Sequence, residues 1–155
     1  MFDSFVVSCR SDVGLKELVD FCRSPRSRKC YPGTQQVIDK FGTFFYNVDM
    51  RAPGASESLV TVEEHLREPE GNGGLISFES GLLWTWPTHE FVSAWAEYRF
   101  TQDGDGTQIE YHQRYMVPGR ALDVILNHGR LARSVRKAAQ NYVQELARCA
   151  ALTNA

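Results

Sequence analysis

The run from Pro118 to Leu152, PGRALDVILNHGRLARSVRKAAQNYVQELARCAAL, constrains the fold more than any other part of the chain. Leu131, Val135, Ala138, Tyr142, Leu146 and Cys149 recur at intervals of three or four, which aligns them on one face of an α-helix. Pro118 suits a first helical turn, where its missing N–H is no loss. Gly129 is the point at which the helix would bend or break. Residues 130–152 alone would span roughly 35 Å. A rod of that length with one apolar face needs a covering layer. Nearly everything upstream has the period-two alternation of β-strands. The expected class is α+β, one long helix lying across one antiparallel sheet.

Taken in order, Phe2–Arg10 reads as a strand with Phe5, Val7 and Cys9 on one face. Ser11 or Asp12 offers an N-cap for a short amphipathic helix over 12–23, with Leu15, Leu18, Val19 and Cys22 at helical spacing. The basic connector Ser24–Lys29 has room for a second helical turn. Strands follow at Thr34–Lys40, Thr43–Arg51, Ser58–Arg67, Gly74–Leu83, Glu90–Phe100 and Thr107–Val117. Between them lie turns at Phe41-Gly42, a loop at Ala52–Glu57, a turn at Glu68–Gly73, an aromatic link at Trp84–Pro87, and a hairpin loop at Gln102–Gly106. That makes about seven strands whose short connections favour antiparallel neighbours. No repeat or linker divides the chain, so one domain over 1–155 is expected.

Composition excludes several classes. A formal charge of −2 supplies no global field for nucleic acid. No apolar stretch is long enough to span a bilayer, and the start MFDSFVVSCRSD lacks the basic and apolar regions of a signal peptide. Cys9, Cys22, Cys30 and Cys149 form no CxxC pair and have no nearby histidine at ligand spacing, so reduced thiols in a cytoplasmic protein are expected. His65, His89, His112 and His128 have no metal-ligand spacing either, and the Asp103–Gly106 run lacks the further ligands of a calcium loop. Neither a metal nor a cofactor is expected. No phosphate-cradling glycine loop or nucleophile elbow is present.

The geometry itself implies a hollow. Seven strands make a sheet roughly 30 Å wide, whereas a helix with its side chains is about 10–12 Å across. A curved sheet holding one helix therefore leaves space for large side chains or a small apolar ligand. In the last hairpin the more apolar sets are Thr107, Ile109, Tyr111, Gln113 and Tyr115 on one strand, and Val92, Ala94, Ala96, Tyr98 and Phe100 on the other. These are assigned inward, with Ala94 and Ala96 leaving room; the set Phe91, Ser93, Trp95, Glu97 and Arg99 points out. Val62, Glu64, Phe78 and Trp84 join the candidate ligand-binding wall, with Trp84 and Trp86 placed in a rim loop. Glu64 alternates with Val60, Val62 and Leu66: either it lies near the strand end and reaches water, or it faces in, where a carboxylate in an apolar setting would have a raised pKa and could act as an acid or base. Glu64 and Tyr111 are the candidate catalytic pair, while Tyr98, Gln113 and Tyr115 are placed to orient a carbonyl or hydroxyl. Two basic surfaces stand out: Arg23, Arg26, Arg28 and Lys29 in the connector, and Arg120, Arg130, Arg133, Arg136, Lys137 and Arg148 on the terminal helix.

The order of elements, with the Gly-Asp-Gly-Thr hairpin at 104–107, the Pro-Gly break at 118–119, the long terminal helix, and Cys-Tyr-Pro-Gly at 30–33, resembles the SRPBCC superfamily, also called START-like or helix-grip. Two branches are the most similar, that of the polyketide cyclase/dehydrases and that of a carbon monoxide dehydrogenase subunit. The sequence departs from the latter by ending without a hydrophobic tail. The resemblance implies a curved sheet wrapped around the C-terminal helix, with short helices after the first strand. Three functions stay open. The first is binding of a small hydrophobic or amphipathic molecule such as a lipid, polyketide or aromatic metabolite. The second is a cyclase/dehydrase-like enzyme using Glu64 and Tyr111. The third is a recruitment module that meets a protein partner, a second copy or a membrane through its basic surfaces.

Overall fold

The computed structural model describes residues 2–31, 33–49, 59–85, 91–116 and 121–153, without the side chains of 91, 121–131 and 134. In chain order the elements are β1 (Phe2–Ser11), α1 (Leu15–Cys22), α2 (Pro25–Lys29), β2 (Thr34–Lys40), β3 (Thr43–Asp49), β4 (Leu59–Leu66), β5 (Glu70–Asn72), β6 (Leu75–Thr85), β7 (Phe91–Asp103), β8 (Gly106–Met116) and α3 (Ala121–Thr153). The sheet is antiparallel in the order β1-β8-β7-β6-β4-β3-β2, with β5 paired to β6 off that path. Among the described residues it has eight strands, one more than the sequence suggests. The stretch expected as a plain turn at 68–73 doubles back onto β6, pairing Glu70 with Ser77 and Asn72 with Leu75. The backbone at Gly71 (φ +130°) and Gly73 (φ +62°) permits this reversal.

Alternation decides which face is buried. Val92, Ala94, Ala96, Tyr98 and Phe100 of β7 are buried, as are Thr107, Ile109, Tyr111, Gln113 and Tyr115 of β8, as expected from the sequence. Their register is pinned by a two-residue turn at Gly104-Asp105, where Gly104 takes φ +60°. The β2–β3 turn is equally tight, with Phe41 and Gly42 both at positive φ and Phe41 fully exposed.

The helix start expected at Ser11 or Asp12 moves to Gly14, which caps α1 without a side-chain bond. Ser11 Oγ instead accepts from the Val13 N–H at 3.1 Å, ahead of the first helical residue. Ser24 caps α2 through its side chain, with Pro25 in the first turn. The long helix runs through Gly129 as one element. Its fully buried seam is Val135, Ala139, Val143, Leu146, Cys149 and Ala150, packed mainly along β1. Ala138 and Tyr142, expected within that seam, are only half-buried because they face a hollow.

Gly106 sits where β8 passes closest to the end of β1. A Cβ there would lie 2.3 Å from the Ser11 carbonyl oxygen, a backbone atom that cannot swing away. Gly106→Ala is expected to cost about 1–3 kcal/mol, read as a lower urea midpoint. An unchanged midpoint would show that the strand ends part freely.

Candidate functional site

The hollow lies between α3 and the concave faces of β3, β4, β6, β7 and β8, with α2 closing one end. Its volume is about 100 Å³. A cavity of roughly 150 Å³ accommodates a benzene ring; this one is smaller but open on one side, so it holds part of a small ring or the head of a longer molecule, with the remainder lying in the opening. Tyr31, Thr34 and Ala138 on its border are half-exposed and mark the side that meets solvent. Tyr31 Oη donates to the Ala138 carbonyl across that side at 3.4 Å.

A buried ion pair organises one end. Arg28, 2% exposed, donates from Nε to Glu64 Oε1 at 2.9 Å and from Nη2 to Oε2 at 3.0 Å; Glu64 is 1% exposed. The remaining guanidinium hydrogens go to the Cys22 carbonyl, Ser27 Oγ and, at 3.4 Å, Tyr98 Oη. All five donors of the guanidinium are thus engaged. Glu64 also accepts from Tyr46 Oη at 3.0 Å and Ser80 Oγ at 2.8 Å, which fills its four lone-pair sites. Tyr98 and Tyr142 hydroxyls meet at 2.9 Å.

This geometry corrects two expectations. Arg28 belongs to the cavity and not to an exposed basic loop. α2 turns it inward behind α1, and Arg23 beside it lies over the Phe78 ring at 4.8 Å while donating to the Arg67 carbonyl. Only Arg26 and Lys29 of that cluster remain exposed. Burial does push the Glu64 carboxyl pKa up, but the Arg28 charge and the bonds from Arg28, Ser80 and Tyr46 outweigh it, and the net shift is downward. Glu64 is therefore ionised at neutral pH. Burial raises Tyr46, Tyr98, Tyr111 and Tyr142, so all four stay neutral phenols. Burial likewise pushes the Cys22 thiol up to about 11.

Of the candidate wall, Val62, Glu64, Trp84, Tyr98, Tyr111 and Gln113 border the cavity. Phe78 does not; it stacks on Tyr98 and Phe100 with ring centres 4.7 and 5.9 Å away. Ala94, Ala96, Ile109 and Tyr115 are buried on the same face without bordering the hollow. Ala94 is flanked across the sheet by Leu82 and Tyr115, which use the space it leaves. The small residues that open the cavity are Ala138 and Ala139 of α3. Tyr115 spends its hydroxyl on Asp3 at 2.8 Å. Trp84 is not in a rim loop: β6 extends through it to Thr85, and its ring lies 6.2 Å from Tyr115. Trp86 lies outside the described residues. Arg28, Tyr46 and Tyr142 are among the cavity residues that sequence reasoning missed, with Tyr31, Thr34, Val48, Leu82 and the α3 residues Val135, Ala138 and Ala139.

Gln113 and Tyr111 differ from the other polar residues of the wall. Gln113 is 4% exposed and flanked in register by Ala96 and Phe5; Tyr111 is 5% exposed and flanked by Tyr98 and Val7. Neither the Gln113 amide nor the Tyr111 hydroxyl has a hydrogen-bond partner among the described residues, although both border the hollow. The histidines lie elsewhere. His65 bonds Thr43 and Glu63 on the outer face, and His112 bonds Glu110. His89 and the side chain of His128 lie outside the described residues.

An open antiparallel sheet folded over one long C-terminal helix, with two short helices after the first strand, is the arrangement found in solved structures that match the chain over nearly its whole length. TTHA0849 from Thermus thermophilus superposes with a TM-score of 0.70 at 9% identity, covering 99% of this chain and 100% of that one. This is a helix-grip fold. The helix-grip architecture is shared with the Zhui aromatase/cyclase from Streptomyces sp. R1128, at TM-score 0.69, 12% identity, and coverage of 97% and 94%. It is shared too with a Thalictrum flavum norcoclaurine synthase point mutant in complex with a transition-state analogue, at TM-score 0.63, 11% identity, and coverage of 100% and 98%. No protein-family model and no curated protein matches the sequence. No described helix of this helix-grip chain is long and apolar enough to cross a membrane.

Proposed function

We propose that the protein binds a small, mainly apolar molecule between sheet and α3, with the polar part of that molecule held by Gln113 and Tyr111. The supporting observation is the pair of buried, unpartnered polar heads on a wall whose apolar part includes Val48, Val62, Leu82, Trp84 and Val135 and whose Arg28–Glu64 ion pair is internally satisfied. A buried amide without a partner costs about 1–3 kcal/mol, and a ligand carbonyl or hydroxyl would recover it. The ligand-binding role of Val62, Trp84 and Tyr98 is to enclose the apolar part.

A cyclase/dehydrase-like enzyme with Glu64 and Tyr111 as its proton-transfer pair is the second reading, favoured by the likeness to an aromatase/cyclase. It has less physical support. Proton transfer works best with a group whose pKa lies near the working pH. Glu64 is shifted down and accepts four hydrogen bonds, and Tyr111 is shifted up. On the binding reading Glu64 holds Arg28 and Tyr46 in place and takes no part in proton transfer.

The cavity is tested by filling it. Ala139 is buried on α3 and borders the hollow, and Ala139→Leu places three more carbons in about 100 Å³. Toluene, titrated into the protein and followed by amide chemical shifts of β8, is expected to saturate on the native chain. The variant is expected to bind at least tenfold more weakly, or about 1.4 kcal/mol, with its thermal midpoint within a few degrees. Equal affinity in both would place binding outside this cavity.

A further inference from the structure

The charge balance of the cavity wall goes further than its shape. Arg28 is the one cation among its described lining residues and Glu64 the one anion, and they neutralise each other. Arg28 has no donor left: two of its hydrogens go to Glu64 and the other three to the Cys22 carbonyl, Ser27 and Tyr98. Glu64 has no acceptor left, because Tyr46 and Ser80 take the two sites that Arg28 does not. The pair is thus closed to a third party. An incoming carboxylate or sulfonate would have to break it, or lie in a low-dielectric hollow with no counter-charge, and an ammonium would face the same choice. The groups that remain open, the Gln113 amide and the Tyr111 hydroxyl, are neutral and offer both donors and acceptors.

Resting on the proposed binding function, the geometry points to a selectivity filter: the cavity takes neutral molecules that pair a small ring with a carbonyl, amide or hydroxyl, and it rejects their anionic counterparts. Gln113 is the specificity-determining residue, since only its side chain presents Oε1 and Nε2 together on this wall. A fatty-acid carboxylate is excluded as a ligand whose head enters the hollow, and so is an ionised aromatic acid.

Benzamide and benzoate test this directly, because they share size and shape and differ in charge at pH 7. Toluene serves as the ring without a polar head. Titrations followed by amide chemical shifts of β8 and α3 should give benzamide at least tenfold tighter than benzoate and tighter than toluene. Gln113→Leu, which keeps the side-chain volume, should bring benzamide down to the level of toluene while leaving toluene unchanged. Benzoate binding as well as benzamide would overturn the filter and leave ligand binding standing. Benzamide unaffected by Gln113→Leu would overturn the assignment of Gln113. No saturable shift with either toluene or benzamide would overturn the proposed function itself, and the filter with it.

Discussion

Arg28→Met is expected to remove about 3–5 kcal/mol of stability at pH 7, the usual result of stripping one partner from a buried ion pair. Methionine keeps most of the stem and deletes the guanidinium, so packing changes little. What remains is a carboxylate with 1% exposure held only by Tyr46 and Ser80, while the Cys22 carbonyl, Ser27 and Tyr98 each lose a donor. Adding Glu64→Gln removes the orphaned charge and keeps a side chain able to bond Tyr46 and Ser80. The double variant should therefore recover at least about 2 kcal/mol relative to Arg28→Met alone. Urea midpoints of the four proteins in this cycle measure it, and a double variant no better than the single would mean that the charges are not coupled.

The pH dependence follows from the direction of the Glu64 shift. Its folded-state pKa lies below the ordinary value because the Arg28 charge and three bonding partners overcome the effect of burial. A depressed acid stabilises the folded state fully above its unfolded value, about 4.3, and that contribution is lost as pH falls through the lower folded value. The native protein should thus lose more stability below about pH 4.3 than Glu64→Gln does. Parallel acid titration of the two would refute the assignment.

Phe100→Ala is the second large effect. Phe100 is fully buried on β7, stacked with Phe78 at 5.9 Å and with Tyr98 at 6.1 Å. Its register neighbours Ile76 and Ile109 come from β6 and β8, so the ring ties three strands at the end of the core beyond the cavity. Truncation should cost about 3–5 kcal/mol. For a domain of this size that corresponds to a thermal midpoint lower by roughly 10 °C. Because Phe100 does not border the hollow, toluene affinity of the folded variant should stay within a factor of about two. A midpoint that hardly moves would show that neighbouring rings collapse into the gap.

The parts legible in the sequence were those governed by short-range rules. The β7–β8 register could be read because a tight turn at Gly104-Asp105 leaves one alternation consistent with a buried face. The terminal helix could be read from spacing alone. Arg28 could not, because four basic residues within 23–29 look equally solvated along a line. One signal did exist. A carboxylate alternating with Val60, Val62 and Leu66 demands a cation, and this run held the nearest cluster of them. Assigning Ala94 and Ala96 as the source of space failed for a related reason: what surrounds a small residue across the sheet is set by register, and here Leu82 and Tyr115 flank Ala94. The tyrosines of the cavity were half-legible. Tyr98 and Tyr111 sit in strong strands, whereas Tyr142 lies among helix apolar residues and reads as packing.

The strand order carries a consequence for synthesis on the ribosome. β1 is made before the other strands, yet among the described residues it pairs only with β8, Phe2 opposite Met116 and Ser11 opposite Thr107. Its partner thus emerges only after on the order of 100 further residues, and joining them closes a loop of that size. In the meantime Phe2, Phe5, Val6 and Val7 form a sticky ribbon with open backbone groups, the kind of nascent segment that chaperones shield. The hairpin of β7 and β8, whose contacts are local, is the template that finally captures it.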